Sequence, residues 1–231
     1  MIVVIPLGGL GKRFREAGYA TRKPFLPLNG HCLIQRVLEQ YHTLPHVKLA
    51  VVCLDEYRKV FAYAPNLWYG KTLHAPTQGP VETLLHATSI LDTEEPVLIA
   101  DGDSFLDGGE LRKALALYQR DDADGGVTIR ETSDPDCSYA IVTEGWIERT
   151  AEKQVISEWS TTGPYWWKRG RDFIRCATRA MQQGIVSISP VYNEAIQDEL
   201  RIRAVPVTTF RHLGTPHAYE SYRTQHLRPA L

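Results

Sequence analysis

Two sets of charged residues follow apolar runs, and their types suit phosphate and metal chemistry. The first set is basic and glycine-rich. Ile2-Val3-Val4-Ile5-Pro6 runs into Leu7-Gly8-Gly9-Leu10-Gly11-Lys12-Arg13-Phe14, and Arg22-Lys23-Pro24-Phe25-Leu26-Pro27-Leu28 follows. Glycines let the backbone approach a polyphosphate and turn its N–H groups inward. Lys12, Arg13 and Lys23 can neutralise the phosphate charge. The second set is acidic: Val97-Leu98-Ile99-Ala100 leads into Asp101-Gly102-Asp103-Ser104. Carboxylates on a short turn are the hard oxygen ligands that Mg²⁺ takes when it also binds substrate phosphates. Together the two sets describe a site for a nucleoside triphosphate and its metal.

Two familiar phosphate loops are excluded. The Walker loop needs G-x-x-x-x-G-K-[ST], but Arg13 follows Gly11-Lys12 and Pro6 stands at the first glycine. The dinucleotide fingerprint G-x-G-x-x-G begins at Gly9-Leu10-Gly11 and fails at Phe14. Gly18 and Pro24 follow so soon that no helix is expected to start at the loop. The 231 residues are 43% hydrophobic with a formal net charge of −1. Such a chain can build a sizeable core, and broad electrostatic binding to nucleic acid or membrane is not expected. Cys32, Cys53, Cys137 and Cys176 form no C-x-x-C pair, which points to reduced thiols and a cytoplasmic location. No signal-peptide pattern and no run of transmembrane length is read.

The elements that must position these residues alternate in the first half. Strand patterns at 2–6, 48–54 and 96–100 are separated by helical patterns at 33–44, 55–64, 80–91 and 111–118. Such alternation predicts a mostly parallel sheet with helices on both faces. The second half reads as short strands at 126–130, 139–142 and 146–150, the last two joined at Glu144-Gly145. A helix at 171–182 closed by Gly184, a strand at 202–207 and a helix at 216–226 complete the chain. A single domain over 1–231 is expected, with a nucleotide half to about 125 and an acceptor half from about 126.

With these elements in hand, the sequence resembles the sugar-phosphate nucleotidyltransferases, or nucleotide-sugar pyrophosphorylases, over nearly its whole length. The resemblance rests on Gly9-Leu10-Gly11-Lys12-Arg13, Lys23-Pro24 and Asn29-Gly30. It continues through Thr77-Gln78-Gly79-Pro80-Val81-Glu82-Thr83, Ala100-Asp101-Gly102-Asp103 and Ala151-Glu152-Lys153. Thr161-Thr162-Gly163 with Tyr165-Trp166-Trp167, Pro190-Val191-Tyr192-Asn193-Glu194 and Leu213-Gly214-Thr215-Pro216 complete it. The last set looks closest to short cytidylyltransferase-like members of capsule and surface-polysaccharide pathways. The family often has an aspartate before the Leu-Gly-Thr turn, where this chain has His212.

The resemblance implies a Rossmann-like, GT-A-like α/β fold: a mixed, mostly parallel sheet flanked by helices, with a small β-rich acceptor part. It implies a Mg²⁺-dependent enzyme joining a nucleoside triphosphate, CTP before UTP or dTTP, to a small phosphorylated acceptor with release of pyrophosphate. Leu7, Gly8, Gly9, Gly11, Lys12, Gln78, Gly79, Thr83 and Asp101 would hold the nucleotide. Arg13, Lys23, Asp103 and Lys153 would act in catalysis. Lys153, Thr162, Gly163, Tyr165 and Glu194 would bind the acceptor, and Asp103 and His212 the metal, with Asp101 in reserve. Trp166 and Trp167 suit core and wall better than a ligand cage. No nucleic-acid or membrane partner is implied, and a homo-oligomer stays open. A glycosyltransferase using a D-x-D turn and a non-catalytic nucleotide sensor remain as alternatives.

Overall fold

The computed structural model describes residues 1–58 and 68–226. Its strands are β1 (Ile2–Leu7), β2 (Pro27–Leu28), β3 (His31–Cys32), β4 (Lys48–Leu54), β5 (Trp68–Leu73), β6 (Val97–Ile99) and β7 (Ser104–Phe105). There follow β8 (Gly125–Glu131), β9 (Ser138–Thr143), β10 (Trp146–Glu152), β11 (Trp159–Trp167), β12 (Ile202–Pro206) and β13 (Arg211–His212). The described α-helices are α1 (Lys12–Glu16), α2 (Leu33–His42), α3 (Pro80–Leu85), α4 (Thr88–Leu91) and α5 (Gly108–Arg120). Three more follow: α6 (Gly170–Gln182), α7 (Val191–Gln197) and α8 (Pro216–His226).

One sheet runs through both halves in the order β5-β4-β1-β6-β11-β8-β12-β10-β9. β5, β4, β1 and β6 are parallel neighbours. They are apolar without alternation because helices cover both faces, and Val3, Val4, Ile5, Val51 and Leu98 are fully buried. β11 then lies antiparallel between β6 and β8, and β12 is parallel to β8. The β9–β10 hairpin closes the far edge, antiparallel to β12 and touching β11. The sheet is therefore mixed, with its parallel run concentrated in the first half of the chain. The expected hairpin turn is present, with Glu144 and Gly145 both at positive φ.

Four local features differ from the sequence expectation. A one-turn helix, α1, does start at the glycine loop. Gly11 precedes it at φ +63 and Gly18 follows it at φ +83, so five residues fit between two left-handed glycines. The 80–91 helix splits in two. The Thr88 hydroxyl donates to the Leu85 carbonyl at 2.7 Å, so that carbonyl leaves the helical ladder. Asp55–Tyr57 forms a 3₁₀ turn, and the rest of the 55–64 expectation from residue 59 lies outside the described residues. β11 carries Gly163-Pro164 in its interior; the register against β8 shifts between Thr161 and Tyr165, which is where a proline can sit in a strand.

Trp166 and Trp167 face the core. Trp167 stacks on Tyr192 at 4.9 Å and Trp166 on Tyr118 at 5.5 Å. A second, smaller apolar cluster joins Phe14, Leu26, Leu28, Leu33, Leu213 and Tyr219. It ties the glycine loop, the Lys23 segment and the start of α8 to one another.

The loop between β12 and β13 has its own anchor. Glu110, in the first turn of α5, accepts from the backbone N–H groups of Thr208 and Thr209, both at 3.0 Å, and from both hydroxyls. Burial would raise its pKa, but these hydrogen bonds pull it from 4.5 to about 2. A depressed carboxylate stabilises the fold fully above about pH 4.5 and loses that contribution as pH falls toward 2. Because the group is partly solvated, Glu110→Gln should cost roughly 1 kcal/mol at pH 7. Thermal melts at pH 7 and pH 3 check this: the gap between variant and wild type should shrink at the lower pH.

Candidate active site

β1, β6 and β8 point the same way, so the glycine loop, the acidic turn and the end of β8 emerge at one edge of the sheet. That edge is where an open α/β sheet places its ligand. A cleft of about 800 Å³ opens there. Leu7, Gly8, Gly9, Gly11 and Arg13 line one side, with Lys23. Gln78, Gly79 and Thr83 line the next stretch, and Asp101, Asp103 and His212 the centre. Lys153, Thr162 and Tyr165 line the cleft as well. Arg13 reaches the cleft from the first turn of α1, whereas Phe14 is buried beneath it.

Three of the residues singled out in the sequence stand elsewhere. Lys12 does not line the cleft; it is exposed and pairs with Glu16 along α1 at 3.6 Å. Gly163 does not line it either, but its backbone packs on the acidic turn, so that a Cβ there would lie 2.8 Å from Asp101 Oδ2. Glu194 is a correction. It is 3% exposed and accepts from Arg179 Nε at 3.0 Å and Gln183 Nε2 at 2.9 Å. It sits on α7 facing α6, inside a structural ion pair away from the cleft.

The wall beside the glycine loop is made by hydroxyl groups. The Thr77 N–H donates to the Gly8 carbonyl at 3.1 Å. The Thr77 and Thr83 hydroxyls meet at 2.6 Å, and Thr83 also donates to Gly79 O at 3.0 Å. A Cβ at Gly8 would fall 2.4 Å from Thr83 Oγ1 and 2.5 Å from Thr77 Oγ1. Gly8→Ala should therefore push the 77–83 segment off the loop, costing about 1–3 kcal/mol of stability. Nucleotide affinity should drop with it, read by titration calorimetry beside a thermal melt.

At the centre, Lys23 Nζ lies 2.5 Å from Asp103 Oδ2, and His212 Nε2 lies 3.4 Å from the same oxygen. The short β7–β13 pairing sets His212 opposite Ser104, and the Leu213 N–H donates to the Asp103 carbonyl at 2.8 Å. Asp103 is 6% exposed. Burial would raise its pKa, but Lys23 and then His212 hold it well below the usual carboxylate range. Burial and the charge on Asp103 push Asp101 up to about 6. Asp103 raises the pKa of His212 against the opposing effect of burial. The charge on Asp103 thus disfavours a second charge on Asp101, and the Lys23 ammonium is the side-chain cation set against Asp103.

That donor set also fits Mg²⁺. Asp101 and Asp103 supply hard oxygens, and among the described residues no group of three His, Cys, Asp or Glu forms a closed metal cage. Mg²⁺ is commonly held by one or two carboxylates, with substrate phosphates and waters completing its shell.

Sequence reasoning passes over several lining groups. The final helix is expected, but not that Ala218, Ser221, Tyr222 and Gln225 wall the cleft. Arg130, Ser138, Ser189 and Phe210 line it too. No local signal marks them, since each is an isolated residue whose place depends on strand pairing.

Residues 3–160 match the model of the MobA-like NTP transferase domain. That span carries the glycine loop, the acidic turn and Lys153, and the chain belongs to this family: it is a nucleotidyltransferase. Solved structures share the fold. A nucleoside-diphosphate-sugar pyrophosphorylase from Vibrio cholerae RC9 aligns over 97% of this chain and 100% of its own, at TM-score 0.80 and 20% identity. The inositol-1-phosphate CTP transferase from T. maritima aligns over 99% and 98%, at TM-score 0.73 and 15% identity. The UTP-bound UGPase from Acinetobacter baumannii aligns over 97% and 92%, at TM-score 0.77 and 14% identity. No functionally curated protein matches the chain.

Proposed function

We propose that this chain, acting as a single domain, is a Mg²⁺-dependent enzyme. It transfers the nucleotidyl group of a pyrimidine nucleoside triphosphate to a small phosphorylated acceptor and releases pyrophosphate. One observation carries the reading: Arg13, Lys23 and Lys153 line the same cleft as Asp101 and Asp103. CTP is favoured over UTP and dTTP by the motif resemblance; among the similar folds one is a CTP transferase and another holds UTP. An acceptor such as a sugar-1-phosphate or phosphocholine, activated for surface polysaccharide, fits the same resemblance.

The acceptor phosphate is mostly dianionic at neutral pH, with a second pKa of about 6, so it needs no general base. Its oxygen attacks the α-phosphorus, the new P–O bond forms, and the bond to the β-phosphate oxygen breaks. The difficulty is bringing two anions together, and neutralisation with in-line positioning answers it. The glycine loop cradles the triphosphate, Arg13 faces the departing pyrophosphate, and Lys23 moves from Asp103 toward the α-phosphate. Lys153 holds the acceptor phosphate, and Gln78 reads the base edge through its amide. Asp103, with Asp101 or His212 second, would hold Mg²⁺, which would supply neutralisation of the phosphate charge.

A pyrophosphate-release panel tests this. It crosses the common nucleoside triphosphates with sugar-1-phosphates, phosphocholine and other small phosphorylated molecules, with and without Mg²⁺. Release that needs a pyrimidine triphosphate, an acceptor and Mg²⁺ supports the reading. Sugar transfer without pyrophosphate favours the glycosyltransferase alternative, and binding without turnover across the panel favours a sensor.

A further inference from the structure

Arg130 lies near the end of β8, at the acceptor side of the cleft, and lines it. Its Nε is buried and has no hydrogen-bond partner. Among the described residues no carboxylate forms an ion pair with it, although Asp134 and Asp136 line the same side. A guanidinium N–H that is buried and left without an acceptor is costly, and such a group calls for an explanation. Its position is nevertheless held. The guanidinium carbon lies 5.3 Å from the centroid of the Phe210 ring, a contact that fixes a cation without consuming its N–H donors. Its backbone is paired with Ser160 of β11.

Lys153 is its neighbour through one residue. The Lys153 N–H donates to the Cys137 carbonyl at 3.1 Å, and the Cys137 thiol contacts the Arg130 side chain. Lys153 itself sits at φ +50, a left-handed conformation that a long side chain rarely adopts. Two cations, one near the end of β8 and one in the turn after β10, thus flank one loop, and among the described residues neither forms an ion pair with an acid.

We infer that Arg130 is an acceptor-binding residue that, with Lys153, clamps the dianionic phosphate of the acceptor. This rests on the acceptor role proposed for Lys153. A phosphate monoester carries close to two negative charges, and one ammonium neutralises half of them. A planar guanidinium adds two directed donors and fixes the oxygen that attacks. Arg130 accordingly sets acceptor affinity and phosphate orientation, and leaves the nucleotide side alone.

The test uses inorganic phosphate as probe, titrated calorimetrically into the full chain saturated with pyrophosphate to fill the triphosphate cradle. Arg130→Gln and Lys153→Gln should each weaken phosphate binding by about 10-fold or more, as loss of a charge-assisted contact predicts. Affinity for pyrophosphate and the melting temperature should stay at wild-type values, and Arg130→Lys should recover part of the loss. If Lys153→Gln weakens phosphate and Arg130→Gln does not, the clamp is overturned and the acceptor role of Lys153 stands. If neither variant matters, both readings fall. A drop in melting temperature with equal losses for phosphate and pyrophosphate would make Arg130 a structural residue and also overturn the clamp.

Discussion

Asp103→Asn should lower the rate of pyrophosphate release by about 10³-fold while leaving the fold intact. Asparagine keeps the shape and removes the charge on which Lys23 and His212 converge. If Asp103 served only to anchor Lys23, then Lys23→Met would reproduce the defect in full. If Asp103 holds the metal, Asp103→Asn should in addition raise the Mg²⁺ concentration needed for half-maximal rate, and Lys23→Met should not. The same Mg²⁺ titration on Asp101→Asn and His212→Ala identifies the second ligand as the variant whose midpoint rises. Full activity in Asp103→Asn would remove the metal assignment.

Glu194→Ala should be the most damaging substitution for stability, at about 3 kcal/mol, with an unchanged KM for the acceptor. The carboxylate is buried, and Arg179 and Gln183 both donate to it. Truncation empties the buried site between α6 and α7 and takes the shared acceptor from Arg179, whose side chain is 34% exposed, and from the exposed Gln183. Arg179 retains Asp198 at 2.9 Å, which keeps the cost at the lower end of the range for broken buried pairs. Urea denaturation measures the loss, and acceptor kinetics separate the two roles. A raised acceptor KM at wild-type stability would restore Glu194 to the cleft.

The contrast between these two carboxylates shows what the sequence makes legible. Asp103 follows a wholly apolar strand, and strand ends in an α/β sheet converge on a ligand edge, so its place follows from periodicity and topology. Glu194 is read from its position in a motif, and a helix of seven residues gives no period strong enough to tell its buried face from its open one. The same limit hides α1, a single turn. β1, β4 and β6 are legible because burial on both faces leaves uninterrupted apolar runs. β11 is not, because Gly163-Pro164 reads locally as a break and only the pairing with β6 and β8 overrides it. Arg130 leaves no trace in the sequence, since an arginine in a strand is unremarkable until its Nε proves to be buried without a hydrogen-bond partner.

The second apolar cluster has a consequence for how this site can change. Phe14 sits beside Arg13, Leu26 and Leu28 follow Lys23, and Leu213 follows His212; all four are buried in one knot with Leu33 and Tyr219. Tyr19 adds an edge-on ring against Phe14 and donates to Glu220 of α8 at 2.6 Å. The spacing of the segments that carry Arg13, Lys23 and His212 is thus machined by an oily mount, while the polar tips are fittings carried on it. Fittings can be exchanged one at a time while the mount keeps its dimensions. A flaw in the mount, at Leu213 or Phe14, would scatter the tips and silence the enzyme with every charge still present.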